Sequence, residues 1–133
     1  MLLELLGIKT YTITKESFKF QMINATADRQ KKVRIKHPPF KSLIEYNSNA
    51  IKHLKVINKK GEDVNLKITP TIELKIKDVN GKNSYFLFDT VTLENGKLKG
   101  NKARMLNLFR EINFDTVTEI KLRNSGKKIK YVA

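Results

Sequence analysis

Residues 101–114 read NKARMLNLFREINF, and they carry the clearest helical periodicity in the chain. Four apolar residues fall at i, i+3, i+4 and i+7, so a helix would stack them on one face: Met105, Leu108, Phe109 and Ile112. Asn101 suits the N-cap position, because its side-chain oxygen can accept from the free N–H groups of a first helical turn. The pattern predicts an amphipathic helix at about residues 101–112, packed on the rest of the protein through its apolar face.

Short alternating segments surround this helix and predict strands. In residues 31–36, Val33 and Ile35 point to one side while Lys32, Arg34 and Lys36 point to the other. The pattern also favours a short helix near residues 40–46, from the spacing of its apolar residues. Further strands are predicted at 8–13, 17–23, 53–58, 64–68, 72–79, 85–88, 91–93, 97–99, 116–123 and 127–132, the last two as a hairpin.

These elements predict a mainly β (α+β) fold in one domain, residues 1–133, with about residues 1–30 as an added N-terminal strand pair. The strands would form a small antiparallel sheet or barrel with one packed helix. Strands followed by one helix and then two more strands resemble the order of an OB-type partly open barrel. Such a likeness concerns the fold and does not establish a function.

Composition excludes several classes of protein. A chain of 133 residues with 40% hydrophobic residues can bury one core without metal or disulfide support. The absence of cysteine excludes disulfide scaffolds, thiolate zinc sites and cysteine nucleophiles. The N-terminus lacks the features of a secretory leader, and no run approaches the ~20 apolar residues of a membrane span. We expect a protein without membrane association in the cytoplasm, or inside a virion or host cell if it is of viral or mobile-element origin.

The net charge is +14, and the basic excess is spread along the whole sequence. A folded surface that is basic throughout suits a polyanionic partner, because phosphates relieve the repulsion between like charges. Lysine far outnumbers arginine, so compositional bias is the competing explanation of the charge. A non-enzymatic nucleic-acid-binding protein is the leading hypothesis, with single-stranded DNA or RNA favoured over duplex and no cofactor expected.

The residues predicted to bind nucleic acid are cations on strand faces and tyrosines that can stack on bases. Stacking of one base on an aromatic side chain contributes about 1–3 kcal/mol, and a tyrosine tolerates partial exposure because of its hydroxyl. The predicted set is Lys32, Arg34, Lys36, Lys75, Lys77, Lys121, Arg123, Lys128, Lys130, Tyr11, Tyr46 and Tyr131.

Asp63 and the triplet Glu73-Leu74-Lys75 form an acidic residue followed by an acid-x-Lys pair. This spacing resembles the catalytic core of the restriction-endonuclease-like nucleases. The resemblance implies that Asp63 and Glu73 would hold Mg²⁺ while Lys75 orients the attacking water. It covers about a dozen residues, and Asn80-Gly81 predicts a hairpin where that family continues into a helix. A Mg²⁺-dependent nuclease is therefore an alternative function.

A structural or assembly protein, such as a virion component, is the other alternative. Leu2, Leu3, Leu5 and Leu6 could cover the sheet edge of a second copy and give a homo-oligomer. His37 and His53 are the two histidines, and no acidic residue stands at ligand spacing from either. The sequence therefore predicts no metal site built on histidine.

Overall fold

The computed structural model describes residues 9–36, 43–104 and 108–132, and these residues are mostly β-strand in antiparallel sheets. The prediction of a mainly β fold is confirmed. The described residues contain one α-helix, α1 (Lys15–Gln21), and short 3-10 turns at Ala27–Arg29, Phe88–Thr90 and Phe114–Thr116. The strands are β1 (Lys9–Ile13), β2 (Lys31–Lys36), β3 (Leu43–Ser48), β4 (His53–Ile57), β5 (Asp63–Lys67), β6 (Ile72–Asp78), β7 (Asn83–Leu87), β8 (Thr92–Glu94), β9 (Lys97–Asn101), β10 (Phe109–Asn113), β11 (Val117–Asn124) and β12 (Lys130–Val132).

The largest sheet has six strands in the order β5-β4-β1-β11-β6-β7. Alternation of apolar and polar residues gives it one buried face, as period-2 side-chain direction requires. Leu122 lies opposite Leu74, which lies opposite Phe86, and all three are almost fully buried. The first described strand, β1, lies inside this sheet between β4 and β11.

The segment predicted as a strand at 17–23 is instead the helix α1. Thr14 caps it, because its side-chain oxygen accepts from the backbone N–H of Ser17 at 3.1 Å. Phe18 and Met22 are one helical turn apart and fully buried, and the ring of Phe18 stacks on Phe114 at 5.9 Å between centroids. Alternating apolar residues at 18, 20 and 22 resemble a strand, but Phe20 is 77% exposed and so does not share the face of the other two.

The amphipathic helix predicted at about 101–112 is wrong. Asn101 ends β9, and β10 returns antiparallel to it with Phe109 opposite Asn101 and Ile112 opposite Leu98. Phe109 is 58% exposed and Leu108 is 47% exposed, so the apolar residues do not form one buried stripe. Pairing with β9 overrides the local helical spacing, and within 109–113 the side chains alternate with the period of a strand. Residues 105–107, including Met105, lie outside the described residues.

A separate three-stranded sheet, β12-β2-β3, corrects two further predictions. The last strand pairs with β2, with Tyr131 opposite Ile35, so the predicted hairpin of 116–123 with 127–132 is wrong. The described part of the predicted helix near 40–46 belongs to the strand β3, which pairs with β2 along its whole length. We call β12-β2-β3 the small sheet. The remainder of the predicted helix, including Phe40, lies outside the described residues.

No sheet closes into a barrel within the described residues, so the barrel alternative is wrong. The third sheet, β10-β9-β8, packs Leu98 into the same core as the six-stranded sheet. The helix follows the first strand instead of lying between the third and fourth strands of an OB-type order.

Gly100 on β9 packs closely against the core between these two sheets. A Cβ atom at this position would lie 2.9 Å from Cδ1 of Phe86 and 3.0 Å from Cγ2 of Val91. Both distances are shorter than ordinary carbon–carbon contacts, and both neighbours are buried. The absence of a side chain at residue 100 is therefore what lets β9 approach the core.

We expect Gly100→Ala to lower the free energy of unfolding by about 1–3 kcal/mol, because the added methyl overpacks the core. Urea unfolding followed by circular dichroism measures the loss. In a Phe86→Leu background the same methyl should cost less, since the contacting ring atom is gone. Equal costs in the two backgrounds would contradict this account of the site.

Candidate functional site

Asp89 is the centre of a buried polar cluster where the three sheets meet. It lies in the 3-10 turn Phe88–Thr90 after β7, and it is 1% exposed. Its Oδ2 accepts from the hydroxyl of Tyr131 at 2.8 Å and from the hydroxyl of Tyr46, while its Oδ1 accepts from Nη2 of Arg104 at 2.7 Å. We call these four residues the Asp89 cluster. Its carboxylate is therefore both charge-paired and hydrogen-bonded, as a buried charge requires.

The side chain of Arg104 is fixed by contacts with three residues. Its side chain is 6% exposed, and Nη2 also donates to the carbonyl of Pro70 at 2.9 Å. The guanidinium carbon lies 4.9 Å from the centroid of the Tyr46 ring, which is cation–π distance. Burial is the largest single influence and lowers the pKa of Arg104, but the negative charge of Asp89, the interaction with Tyr46 and the hydrogen bonds to both residues together raise it above its ordinary value.

The cluster joins distant parts of the chain. Tyr46 and Tyr131 come from β3 and β12 of the small sheet, and Arg104 follows β9. Burial, reinforced by the charge of Asp89, raises the pKa of both tyrosines, so their hydroxyls stay protonated and donate. A tyrosine held neutral in this way does not serve as a nucleophile or base near neutral pH. The Asp89 cluster is an anchor for the small sheet.

A groove of about 480 Å³ opens beside this anchor, where the small sheet meets the β4–β5 hairpin. Its floor is apolar and its rim is basic. None of the described residues that line it is acidic: Lys31, Lys32, Val33, Ser48, Ala50, Ile51, Lys52, His53, Lys67, Ile68 and Tyr131. We call it the basic groove.

The cations of the basic groove are largely uncompensated. Within the described part of the chain, Lys31, Lys52 and Lys67 have no carboxylate within ion-pair distance. Lys32 lies 3.4 Å from Glu45, but the two side chains are 73% and 52% exposed, so the pair contributes little stability. Bringing these lysines together costs electrostatic free energy that a bound anion would relieve.

The backbone at the base of the groove is fixed in a strained form. Ala50 has φ of 59°, a left-handed conformation that costs a non-glycine residue about 1–2 kcal/mol. Asn49, buried beside it, donates from Nδ2 to the carbonyls of Phe88 and Val91 at 2.9 Å, and its Oδ1 accepts from the N–H of Ile51. These bonds hold the chain in the turn that carries it from β3 to Lys52.

The solvent face of the small sheet extends the basic surface. Lys32, Arg34 and Lys36 are exposed on β2, as alternation predicted, and Ile35 between them is buried. Lys130 lies directly opposite Lys36 in the register, which adds a fourth cation to this face. Because Lys32 also lines the groove, this face and the basic groove form one surface. We call it the basic face.

Four other predicted cations lie elsewhere, on the solvent side of the six-stranded sheet. Lys121 is directly opposite Lys75, but Glu119 lies 3.0 Å from Lys121 and 3.6 Å from Lys77. Arg123 donates from Nε and Nη2 to Oε1 of Glu73, at 2.9 and 2.5 Å. The two carboxylates offset much of the charge on this face. The remaining predicted cation, Lys128, is exposed in the segment before β12.

The three predicted tyrosines differ in what they can offer a ligand. Tyr11 packs against the hydrophobic core, and Tyr46 lies under Arg104. Tyr131 is 39% exposed and lines the basic groove while Asp89 holds its hydroxyl. Of the three, Tyr131 alone borders the basic groove.

The residues of the nuclease resemblance are not assembled into one site. Asp63 is on the edge strand β5, four strand positions from Glu73 on β6, a separation of about 19 Å across the sheet. The carboxylate of Glu73 is also occupied by Arg123. No group of three or more metal-ligating side chains occurs among the described residues. The geometry therefore does not support two-carboxylate Mg²⁺ chemistry at these positions.

Lys31, Lys52, His53 and Lys67 were not among the residues predicted to bind nucleic acid. They lie at or next to the ends of strands, where the alternation of apolar and polar residues does not indicate which face of the sheet a side chain is on. The groove also brings β2 of the small sheet next to β4 and β5 of the six-stranded sheet, and these two sheets are not hydrogen-bonded to each other. In the sequence, these residues are recognisable only as basic or histidine residues at the boundary of a strand. They can be assigned to one binding groove only when the relative position of the sheets is known.

The chain matches no protein-family model, and it has no significant match among the curated proteins or the solved structures. Across the described segments, no helix combines the length and apolar character that crossing a bilayer demands.

The raised pKa of Tyr46 predicts how stability changes at alkaline pH. Up to a pH near 10, where the unfolded tyrosine titrates, its contribution is constant. Above that pH the unfolded state loses the proton first, so stability falls by at most about 1.4 kcal/mol per pH unit for this group. Tyr46→Phe should show a shallower fall between pH 10 and 11.5 in urea titrations. Parallel curves for the two proteins would contradict a neutral, buried Tyr46.

Proposed function

We propose that this protein binds single-stranded nucleic acid along the basic groove and the basic face. The phosphates would contact the groove lysines at one end of the path and Arg34, Lys36 and Lys130 at the other. The observation that carries the proposal is the rim of the groove, which gathers Lys31, Lys52 and Lys67 with no acidic lining residue among those described.

The charge distribution favours a localised binding site rather than a surface that is basic everywhere. On the solvent side of the six-stranded sheet, Glu73 and Glu119 pair with the neighbouring cations. In the basic groove, Lys31, Lys52 and Lys67 have no carboxylate within ion-pair distance among the described residues, and Lys32 pairs with Glu45 at 3.4 Å. Compositional bias toward lysine would raise the charge on both faces alike, whereas the pairing of lysines with carboxylates differs between them.

A single strand fits this surface better than a duplex does. Single-strand binding combines a basic groove that follows the backbone with aromatic rings on which bases stack, and Tyr131 supplies a ring fixed in place by Asp89. Reading a duplex commonly requires a helix in the major groove. The α-helix in the described residues has seven residues and turns Phe18 and Met22 into the core.

We expect the triple variant Lys31→Ala/Lys52→Ala/Lys67→Ala to bind a fluorescent 20-nucleotide strand roughly 100-fold more weakly at about 0.1 M salt, because three phosphate contacts are lost. Fluorescence anisotropy measures the affinity for single-stranded DNA, single-stranded RNA and the matching duplex. Single strands should bind more tightly than the duplex.

The matched control is Lys60→Ala/Lys82→Ala/Lys97→Ala, which removes the same charge from exposed turns and strand ends away from the groove. It should bind within about threefold of the parent protein, since only long-range attraction changes. Equal losses in the two triple variants would contradict a local site. No salt-sensitive binding by the parent protein would overturn the proposed function altogether.

A further inference from the structure

The solvent face of the six-stranded sheet shows a regular pairing of opposite charges between β11 and β6. Arg123 lies directly opposite Glu73 and forms an ion pair with it. Glu119 lies directly opposite Lys77, and the two side chains are 3.6 Å apart. Opposite charges in directly facing positions stabilise a strand pair. These two pairs flank a third position on the same face.

The position between the two ion pairs is the exception, because Lys121 lies directly opposite Lys75. Like charges in facing positions destabilise a strand pair. Lys121 has Glu119 at 3.0 Å on its own strand, but no carboxylate among the described residues lies within ion-pair distance of Lys75. An anion bound between the two ammonium groups would relieve this repulsion.

An exposed aromatic ring lies beside the two lysines. Tyr85 is directly opposite Lys75 on β7, which is the edge strand of the sheet. It is 48% exposed, and within the described part of the chain its ring and its hydroxyl have no stacking or hydrogen-bonding partner. One side of this ring is therefore open to a planar ligand.

The lysines and the tyrosine border a depression of about 190 Å³ in the sheet face. Three cations and one carboxylate line it, which is an excess of two positive charges, and none of the lining residues is shared with the basic groove. We call it the Tyr85 site, and its lining residues are Thr10, Glu73, Leu74, Lys75, Tyr85, Lys121, Leu122 and Arg123.

We propose that the Tyr85 site binds one nucleotide unit, with the base stacked on Tyr85 and the phosphate between Lys75 and Lys121. A nucleotide carries a planar base and an anionic phosphate at opposite ends of one sugar. The site offers a group for each, because Tyr85 and Lys121 are two strand spacings apart, about 10 Å, with Lys75 between them. A free nucleotide and a nucleotide within a bound strand share this chemistry.

Glu119 competes with the phosphate for Lys121. Its ion pairs with Lys121 and Lys77 are partly exposed to solvent, so each contributes little stability and can be replaced by a ligand. Removing this carboxylate should strengthen binding, whereas removing a group that contacts the nucleotide should weaken it. Charges that only hold the strands together would not produce these opposite effects.

Titration of the isotope-labelled full chain with adenosine monophosphate, followed by amide NMR, tests the proposal. The amide signals of Lys75, Tyr85 and Lys121 should shift on binding. Adenosine lacks the phosphate and ribose 5-phosphate lacks the base, so each should bind at least about fivefold more weakly than adenosine monophosphate.

Four substitutions separate the contributions of the base and the phosphate. Tyr85→Leu should weaken binding of adenosine monophosphate at least about fivefold and leave ribose 5-phosphate unaffected, because only stacking is lost. Tyr85→Phe keeps the ring and should bind within about twofold of the parent protein. Lys75→Gln should weaken both ligands about tenfold, and Glu119→Gln should strengthen both about two- to fivefold.

The matched control is Lys99→Gln, which removes a partly exposed lysine from an ion pair with Glu111 in a different sheet. It should bind adenosine monophosphate within about twofold of the parent protein, since only long-range attraction changes. Circular dichroism should show that all variants are folded.

Two further measurements identify the source of the nucleotide and separate this site from the basic groove. The variant Lys31→Ala/Lys52→Ala/Lys67→Ala should bind adenosine monophosphate like the parent protein, so failure of the proposed function leaves this proposal intact. A weaker affinity of Tyr85→Leu for the 20-nucleotide strand would identify a nucleotide within a bound strand as the ligand. An unchanged strand affinity would identify a free nucleotide.

Four results would overturn the proposal. They are an absence of amide shifts at the Tyr85 site, equal affinities for adenosine monophosphate and ribose 5-phosphate, an unchanged affinity for adenosine monophosphate in Tyr85→Leu, and weaker binding in Glu119→Gln.

Discussion

The ion pair between Asp89 and Arg104 is the interaction on which the arrangement of the sheets depends. Asp89 is 1% exposed, and a carboxylate there would be strongly unfavourable without a cation and hydrogen-bond donors. Arg104 supplies the cation, and Tyr46 and Tyr131 supply the donors. Breaking a buried pair leaves an uncompensated charge at a cost of about 3–5 kcal/mol, so this arrangement of the sheets is strongly favoured when the four side chains come together.

This requirement determines where the small sheet lies. Two of the donors to Asp89 project from β3 and β12, which flank β2 on either side. The inner face of the small sheet is thereby held against the core, and the opposite face, with Lys32, Arg34 and Lys36, is left in solvent. The basic groove forms at the junction because Lys31 on β2 and Lys67 on β5 are brought to the same edge. The buried ion pair between Asp89 and Arg104 thus determines where the lysines of the basic groove lie on the surface.

Alternation predicted most of the strands correctly, but the same signal at residues 17–23 predicted a strand where the protein forms the helix α1. Residues 31–36 match β2, and 72–79 match β6 within one residue. The spacing of Met105, Leu108, Phe109 and Ile112 suits a helix in isolation, but pairing with β9 is a nonlocal interaction that local spacing does not contain. The helix α1 was missed because alternating apolar residues predicted a strand at 17–23, and that prediction gave no weight to Thr14, the N-cap of α1.

The candidate site was predictable only in part, because it too depends on contacts between residues that are distant in the sequence. Period-2 alternation identifies the cations of β2, since it needs no knowledge of the partner strand. The pairing of β12 with β2 brings Lys130 to this face, and the Asp89 cluster engages Tyr46 and Tyr131. Both depend on contacts between residues more than 40 positions apart in the sequence. Lys52 and Lys67 likewise become neighbours of β2 only in three dimensions.

The salt dependence of single-strand binding tests the central claim most directly. The slope of log affinity against log salt concentration reports the number of phosphates neutralised, at about 0.7 per phosphate for single strands. Measured for the parent protein and for the variant without Lys31, Lys52 and Lys67, the two slopes should differ by about 2. The same slope in both proteins would show that the groove lysines neutralise no phosphates, and would contradict the account.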